Sequence, residues 1–176
     1  MSDAITYGRI IRDYLVCALC SNYYDFPAEI DLRGASSTGR LFIGSLQTAL
    51  STHCLKNIDI VINMSGYSYE CERPVYHITM EDADITQSTQ DDYLVKFYDG
   101  IHIIRRAHKS GMSVLVHCMA GINRSATLIA LYLITCGVQD AVARLQVANT
   151  KRRKPLLTNK SFRWLIQSAQ KQMLKV

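Results

Sequence analysis

Cys118 and Arg124, flanked by His117 and Ser125, are the residues whose types and spacing in this chain best suit chemistry. They fall in residues 114–136, VLVHCMAGINRSATLIALYLITC, which divide into an apolar run ending at His117, a turn over 118–124 and a helix-patterned segment opening at Ser125. A strand feeding a turn that opens a helix makes an anion site, because the turn's N–H groups and the helix N-terminus converge on one point. Phosphate is the natural guest, with Met119, Ala120, Gly121, Ile122, Asn123 and Arg124 lining its seat. A free thiol titrates near about 8.5, but a helix N-terminus and a nearby guanidinium bring such thiols to roughly 3.5–7.5, so Cys118 is expected to be a thiolate nucleophile. Arg124 offers a planar fork for two phosphoryl oxygens, with more geometric control than a lysine, and would stabilise charge that develops on the equatorial oxygens. Gly121 lets the turn adopt a left-handed conformation or approach a ligand closely, and Ser125 places a hydroxyl beside the sulfur. Taken singly, a cysteine at a buried strand end is usually an inert small hydrophobe and a glycine usually a turn. The ordered set between a strand pattern and a helix pattern is what carries the chemical reading.

The string HCMAGINRSAT resembles the signature loop of the cysteine-dependent protein phosphatases, and its Ala120-Gly121 and Arg124-Ser125-Ala126-Thr127 portions resemble the dual-specificity branch. The chain's length also fits that compact branch better than the larger tyrosine-only domains. The resemblance covers about residues 41–174, down to the order of basic residues, proline, asparagine and phenylalanine near the C-terminal end. Its leucines and extra basic residues depart from the commonest form.

This resemblance implies a two-step mechanism in which Cys118 attacks phosphorus, the loop amides and Arg124 hold the equatorial oxygens, and water then hydrolyses a cysteinyl phosphate with help from Ser125. His117 is implied to order the loop by hydrogen bonding, a supporting role in preference to a general base. A leaving oxygen must be protonated, and a carboxylic acid on a loop over the pocket can do this. Residues 80–92, MEDADITQSTQDD, are too polar to be core, and on their own read as acids that solvate a loop or cap the next helix. In the family an aspartate closely follows the preceding strand, and Ile78-Thr79-Met80-Glu81-Asp82 matches that pattern. Asp82 is therefore the expected general acid and Asp84 the runner-up. No metal and no cofactor is implied.

The expected substrates are phosphorylated proteins, at phosphotyrosine and at phosphoserine or phosphothreonine. RNA is the alternative, through a 5′-triphosphatase or diphosphatase activity, because that branch shares the loop and often has Asn before the Arg, as at Asn123. Against it, the RNA branch continues Arg-Thr-Gly. Phosphoinositide phosphatases rank third, since they place lysines inside the loop and this one has none. A catalytically dead phosphate-binding module usually lacks the Cys or the Arg, and both are present.

The elements that must hold this loop can be read from pattern. Residues 41–45 form a strand and turn, 45–57 a helix, 59–64 a buried strand ending in Ser65-Gly66, and 75–80 another strand. Residues 94–109 form an amphipathic helix with Leu94, Phe97, Tyr98, Ile101 and Ile104 on one face and cations in its last turn, stopped by Gly111. Residues 125–136 form a buried helix ended by Gly137, 141–150 a further helix, and a last helix follows Asn159 with Phe162, Leu165 and Ile166 inward. This alternation points to an α/β fold, a central mostly parallel sheet of four to five strands with helices on both faces, in which ligands gather beyond the strands' carboxyl ends. The catalytic domain is expected over 41–176. It is preceded by a lead-in over 1–40, with a helix patterned on 7–20 and an irregular stretch over 22–40.

Composition bounds the rest. The chain has 176 residues, 48% of them hydrophobic, enough for one domain with a substantial core. A net charge of +5 and a pI near 8.9 suit phosphorylated partners and also RNA. The run Lys151-Arg152-Arg153-Lys154 reads as a solvated face or a guide for an acidic partner or an RNA backbone. Six cysteines in a chain this long need form no bridges, and a nucleophilic thiol needs a reducing environment. Cys17 and Cys20 form a CxxC without a second pair and read as helix packing, not a zinc site. The N-terminal residues lack a signal peptide's apolar core, Ser2 stands where myristoylation needs glycine, and the C-terminal QMLKV carries no prenylation box. A cytoplasmic or nuclear protein without a membrane span is expected, its oligomeric state unread.

Overall fold

A computed structural model describes residues 25–35 and 37–173; the helix expected over 7–20, with Cys17 and Cys20, lies outside the described residues. Five strands form one sheet: β1 (Ala28–Glu29), β2 (Leu41–Ser45), β3 (Ile60–Asn63), β4 (Val75–His77) and β5 (Val114–Cys118). Their spatial order is β1-β2-β5-β3-β4, with β1 antiparallel to β2 and every other pairing parallel. The stretch over 22–40 is thus not wholly irregular, since Ala28 and Glu29 pair with Ile43 and Phe42 at the sheet edge.

The strands' apolar residues divide by parity, as the two-residue period of a strand requires. Leu41, Ile43, Ile60, Ile62, Val114 and Val116 belong to one core cluster. Phe42, Val61 and Leu115 belong to the other. Against the first face pack α2 (Gln90–Lys109), α3 (Arg124–Thr135), α4 (Ala141–Asn149) and α5 (Lys160–Met173). The second face is covered by α1 (Leu46–Ala49) and the turns that follow it, through Ala49, Leu55 and Ile58. The helix expected over 45–57 is therefore a single turn. Its start is well specified, because Ser45 and Thr48 form a reciprocal capping box, but beyond Leu50 the chain passes into successive turns.

Two further elements differ from expectation. The strand expected over 75–80 ends at His77. Helix α2 begins at Gln90, four residues before its apolar pattern, with Asp91 and Asp92 in the first turn where the helix dipole favours anions. Tyr98 is 56% exposed while its neighbour Phe97 is 1% exposed, so Tyr98 is not on the buried face. Phe97 meets Phe162 edge-on, with ring centroids 5.9 Å apart.

Helix α3 is buried from Arg124 through Ile134, enclosed by α2, α4, α5 and β5, and it ends where Gly137 takes a φ of 85°. A helix so enclosed is a rigid base for the turn that precedes it. That turn sits at the carboxyl end of β5, the central strand of the sheet.

Candidate active site

The turn over 118–123 is held from behind, peptide by peptide. Cys118 O faces His117 Nδ1 at 3.2 Å, and Met119 O accepts from Leu46 N–H at 3.1 Å. Ala120 O and Gly121 O accept from Arg152 Nη2 and Nη1 at 3.2 and 2.8 Å. Ile122 O accepts from Leu157 N–H at 2.9 Å, and Asn123 O from Thr127 N–H at 2.8 Å. A peptide's C=O and N–H point in opposite directions, so carbonyls bonded outward leave the N–H groups converging inward. Gly121 N–H donates to Cys118 Sγ at 3.3 Å. Gly121 has a φ of 68°, and a Cβ there would collide with Gly44 O and the Arg152 guanidinium, so both conformation and space require glycine.

Cys118 is 1% exposed, and its Sγ lies 3.4 Å from Ser125 Oγ. Burial pushes the thiol pKa up. The Arg124 charge, the Ser125 hydroxyl and the N–H groups of Ser125 and Ile122 outweigh it, so the pKa is lowered overall. A lowered pKa keeps the thiolate populated below the ordinary titration range, and the pH profile of alkylation by iodoacetate is expected to lie below that of an ordinary thiol. A rate profile for Cys118 centred at or above about pH 8.5 would contradict this.

Arg124 is anchored through Nη1, which donates to Met64 O and Met80 O at 3.0 Å each. Its Nε is buried without a hydrogen-bond partner and stands 3.9 Å from Asp82 Oδ2. A buried N–H left open is costly unless something fills it, and an oxyanion bound over Cys118 would do so.

Asp82 lines the same cleft as Arg124 and Met119, a space of about 860 Å³ with Glu81, Asp92 and Lys96 also on its walls. Its two carboxylate oxygens each accept from Asn123 Nδ2 at 3.1 Å, and Oδ1 also from Asn159 Nδ2 at 3.3 Å. Asn123 is fixed in turn, its Oδ1 accepting from Asn159 N–H and the Thr158 hydroxyl. Asp84 instead accepts from the Ser161 hydroxyl at the start of α5. Of the two candidate acids, Asp82 is the one brought to the cleft.

His117 is fully buried. Burial lowers its pKa to about 4, so it is a neutral imidazole near pH 7. Because Cys118 O can only accept, Nδ1 carries the proton, and Nε2 accepts from Tyr69 O–H at 2.6 Å. Both ring nitrogens are thereby engaged away from the cleft.

Sequence reasoning missed Tyr69, Asp25 and Arg152. The basic run is not wholly a solvated face: the Arg152 side chain is 1% exposed and pairs with an equally buried Asp25. Burial raises the Asp25 carboxyl pKa, but Arg152, Ser45 and Lys154 outweigh it and leave it lowered. Removing one partner of such a pair typically costs about 3–5 kcal/mol, because the other charge stays buried. Among the described residues no group of His, Cys, Asp and Glu is arranged to hold a metal ion, and no helix is long and apolar enough to cross a membrane.

Comparison with known proteins decides the family. Residues 41–171 match the family model "Dual specificity phosphatase, catalytic domain". The chain belongs to the dual specificity phosphatase family. Among dual specificity relatives, Mpk3 of Drosophila melanogaster is 31% identical over 115 residues, 64% of this chain and 26% of that protein. Dual specificity protein phosphatase 14 of Bos taurus is 31% identical over 135 residues, 74% of this chain and 65% of its own length. The chain thus spans from about a quarter to two thirds of these relatives. The crystal structure of human DUSP28 superimposes with a TM-score of 0.62 at 19% identity, over 85% of this chain and 97% of that one, a likeness of fold.

Proposed function

We propose that this dual specificity phosphatase domain hydrolyses phosphotyrosine and phosphoserine or phosphothreonine in proteins through a cysteinyl phosphate at Cys118. The observation that carries the reading is the bonding of the carbonyls from Cys118 to Ile122 to groups around the loop, while the N–H groups of Gly121, Ile122 and Ser125 act on the Cys118 sulfur. Oriented donors that need not reorganise during reaction stabilise a phosphoryl group and its transition state.

In the first step the Cys118 sulfur forms a bond to phosphorus as the bond to the leaving oxygen breaks, and Asp82 gives that oxygen its proton. A protonated Asp82 can keep one oxygen as acceptor for Asn123 and Asn159 while the other donates into the cleft. Arg124 supplies Nε to an equatorial oxygen. In the second step water attacks phosphorus, Asp82 takes the water's proton, and the sulfur departs as thiolate, helped by the Ser125 hydroxyl. His117 supports the loop and takes no part in proton transfer.

Proteins are favoured over RNA by the Asp82 carboxyl beside Arg124, because the oxygen leaving a phosphorylated side chain needs a proton and the phosphate leaving a polyphosphate end does not. Free thiols at Cys54, Cys71, Cys118 and Cys136 support a reducing compartment, cytoplasm or nucleus. The test compares phosphate release from a phosphotyrosine peptide, a phosphothreonine peptide and a 5′-triphosphorylated RNA, by wild type and Asp82→Asn. Both peptides are expected to be cleaved, with Asp82→Asn slower by about 100-fold, the scale of general acid catalysis. Preferential cleavage of the RNA, indifferent to Asp82, would overturn the protein-phosphatase reading.

A further inference from the structure

Arg152 touches no part of the cleft, yet its five N–H donors all have acceptors. Nε and Nη2 donate side-on to Asp25 Oδ1 and Oδ2, each at 3.0 Å, and Nη1 donates to Asn149 Oδ1 at 3.1 Å. The remaining two donors take Ala120 O and Gly121 O. These carbonyls belong to the two peptides whose N–H groups, those of Gly121 and Ile122, act on the Cys118 sulfur.

We infer that Arg152, held by Asp25, is a positioning residue for phosphate capture, drawing two peptides of the loop backward so that their N–H groups face the nucleophile. The inference rests on the phosphate-loop reading above. A guanidinium suits the task because one rigid plane spans a carboxylate on one edge and two successive carbonyls on the other; an ammonium has three donors around a point and cannot span both. A full positive charge on the carbonyl side also polarises each peptide, strengthening the donor at its far end. Asp25 is what makes that buried charge tolerable, and it is secured by Lys154 Nζ at 3.1 Å and the Thr48 hydroxyl at 3.2 Å. It lies ahead of the segment matched to the family. Gly121 completes the device, since any side chain there would strike the guanidinium.

Arg152→Lys and Asp25→Asn test this in the full chain, beside Lys151→Gln, an exposed neighbour in the same basic run. Three quantities are read: the dissociation constant of inorganic phosphate, the pH profile of Cys118 alkylation, and kcat and KM for an aryl phosphate. Thermal unfolding identifies variants that remain folded. Arg152→Lys is expected to weaken phosphate binding about tenfold or more, shift the alkylation profile to higher pH and lower kcat, because a misaimed donor loses transition-state contact. Asp25→Asn moves all three the same way by a smaller factor, and Lys151→Gln leaves them within about twofold, as exposed charges do. Either folded variant, Arg152→Lys or Asp25→Asn, with wild-type phosphate affinity and an unshifted alkylation profile would overturn the inference and reduce the pair to a structural bolt. Phosphate binding and alkylation need no turnover. A wild type that binds phosphate but hydrolyses nothing would overturn the proposed activity, while these two readouts still decide the role of Arg152.

Discussion

Cys118→Ser is expected to abolish phosphate release, lowering kcat by at least about 10⁴-fold, while the affinity for inorganic phosphate changes only a few-fold. The asymmetry follows from the site. A serine hydroxyl loses its proton far less readily than a thiol, and no base stands ready to take it, since His117 has one nitrogen on Cys118 O and the other on Tyr69. The inward N–H groups and Arg124 hold their places without the sulfur, because they are bonded from behind. Initial rates on a phosphotyrosine peptide together with calorimetric titration of phosphate check both halves. Turnover within tenfold of wild type would remove Cys118 from the mechanism.

Arg124→Ala is expected to fail differently, losing about 10³-fold or more in kcat and weakening phosphate binding as well. The guanidinium spans two tasks: Nη1 secures Met64 O and Met80 O, and Nε is left open beside Asp82. Its charge is also the largest influence lowering the Cys118 pKa, so the variant's alkylation profile is expected to shift to higher pH. Arg124→Lys should rescue little, because a point charge cannot hold two carbonyls and an oxyanion together. Steady-state kinetics beside phosphate titration separates this pattern from that of Cys118→Ser. An Arg124→Ala protein with near-normal kcat would sink the assignment.

What could be read from sequence and what could not divides by distance along the chain. The loop over 117–125 was legible because strand, turn and helix are contiguous, and so were β2, β3 and β5, whose apolar runs are local. Helix α2 was read four residues short, since its first turn is polar and an apolar period cannot register it. The helix after β2 was read too long, because its residue types permit a helix that tertiary packing does not use. Tyr69 and His117 are 48 positions apart, and Asp25 and Arg152 are 127 apart. Nothing in either sequence neighbourhood points to the other, and a lone tyrosine between turns or an arginine within a basic run has a commoner explanation. Asp82 was reachable only through family resemblance. Its reason for standing in the cleft, the amides of Asn123 and Asn159, is again a long-range contact.

Those amides have a consequence for the timing of catalysis. The turn over 80–83 is tied to the phosphate loop by Arg124 Nη1 on Met80 O and by Asn123 on Asp82, and to the residue before α5 by Asn159 on both Asp82 and Ala83 O. A loop fastened at Met80, Asp82 and Ala83 would have to break those bonds before it could move over a substrate. On the proposed mechanism, then, the proton donor is already in place when the phosphoryl group arrives.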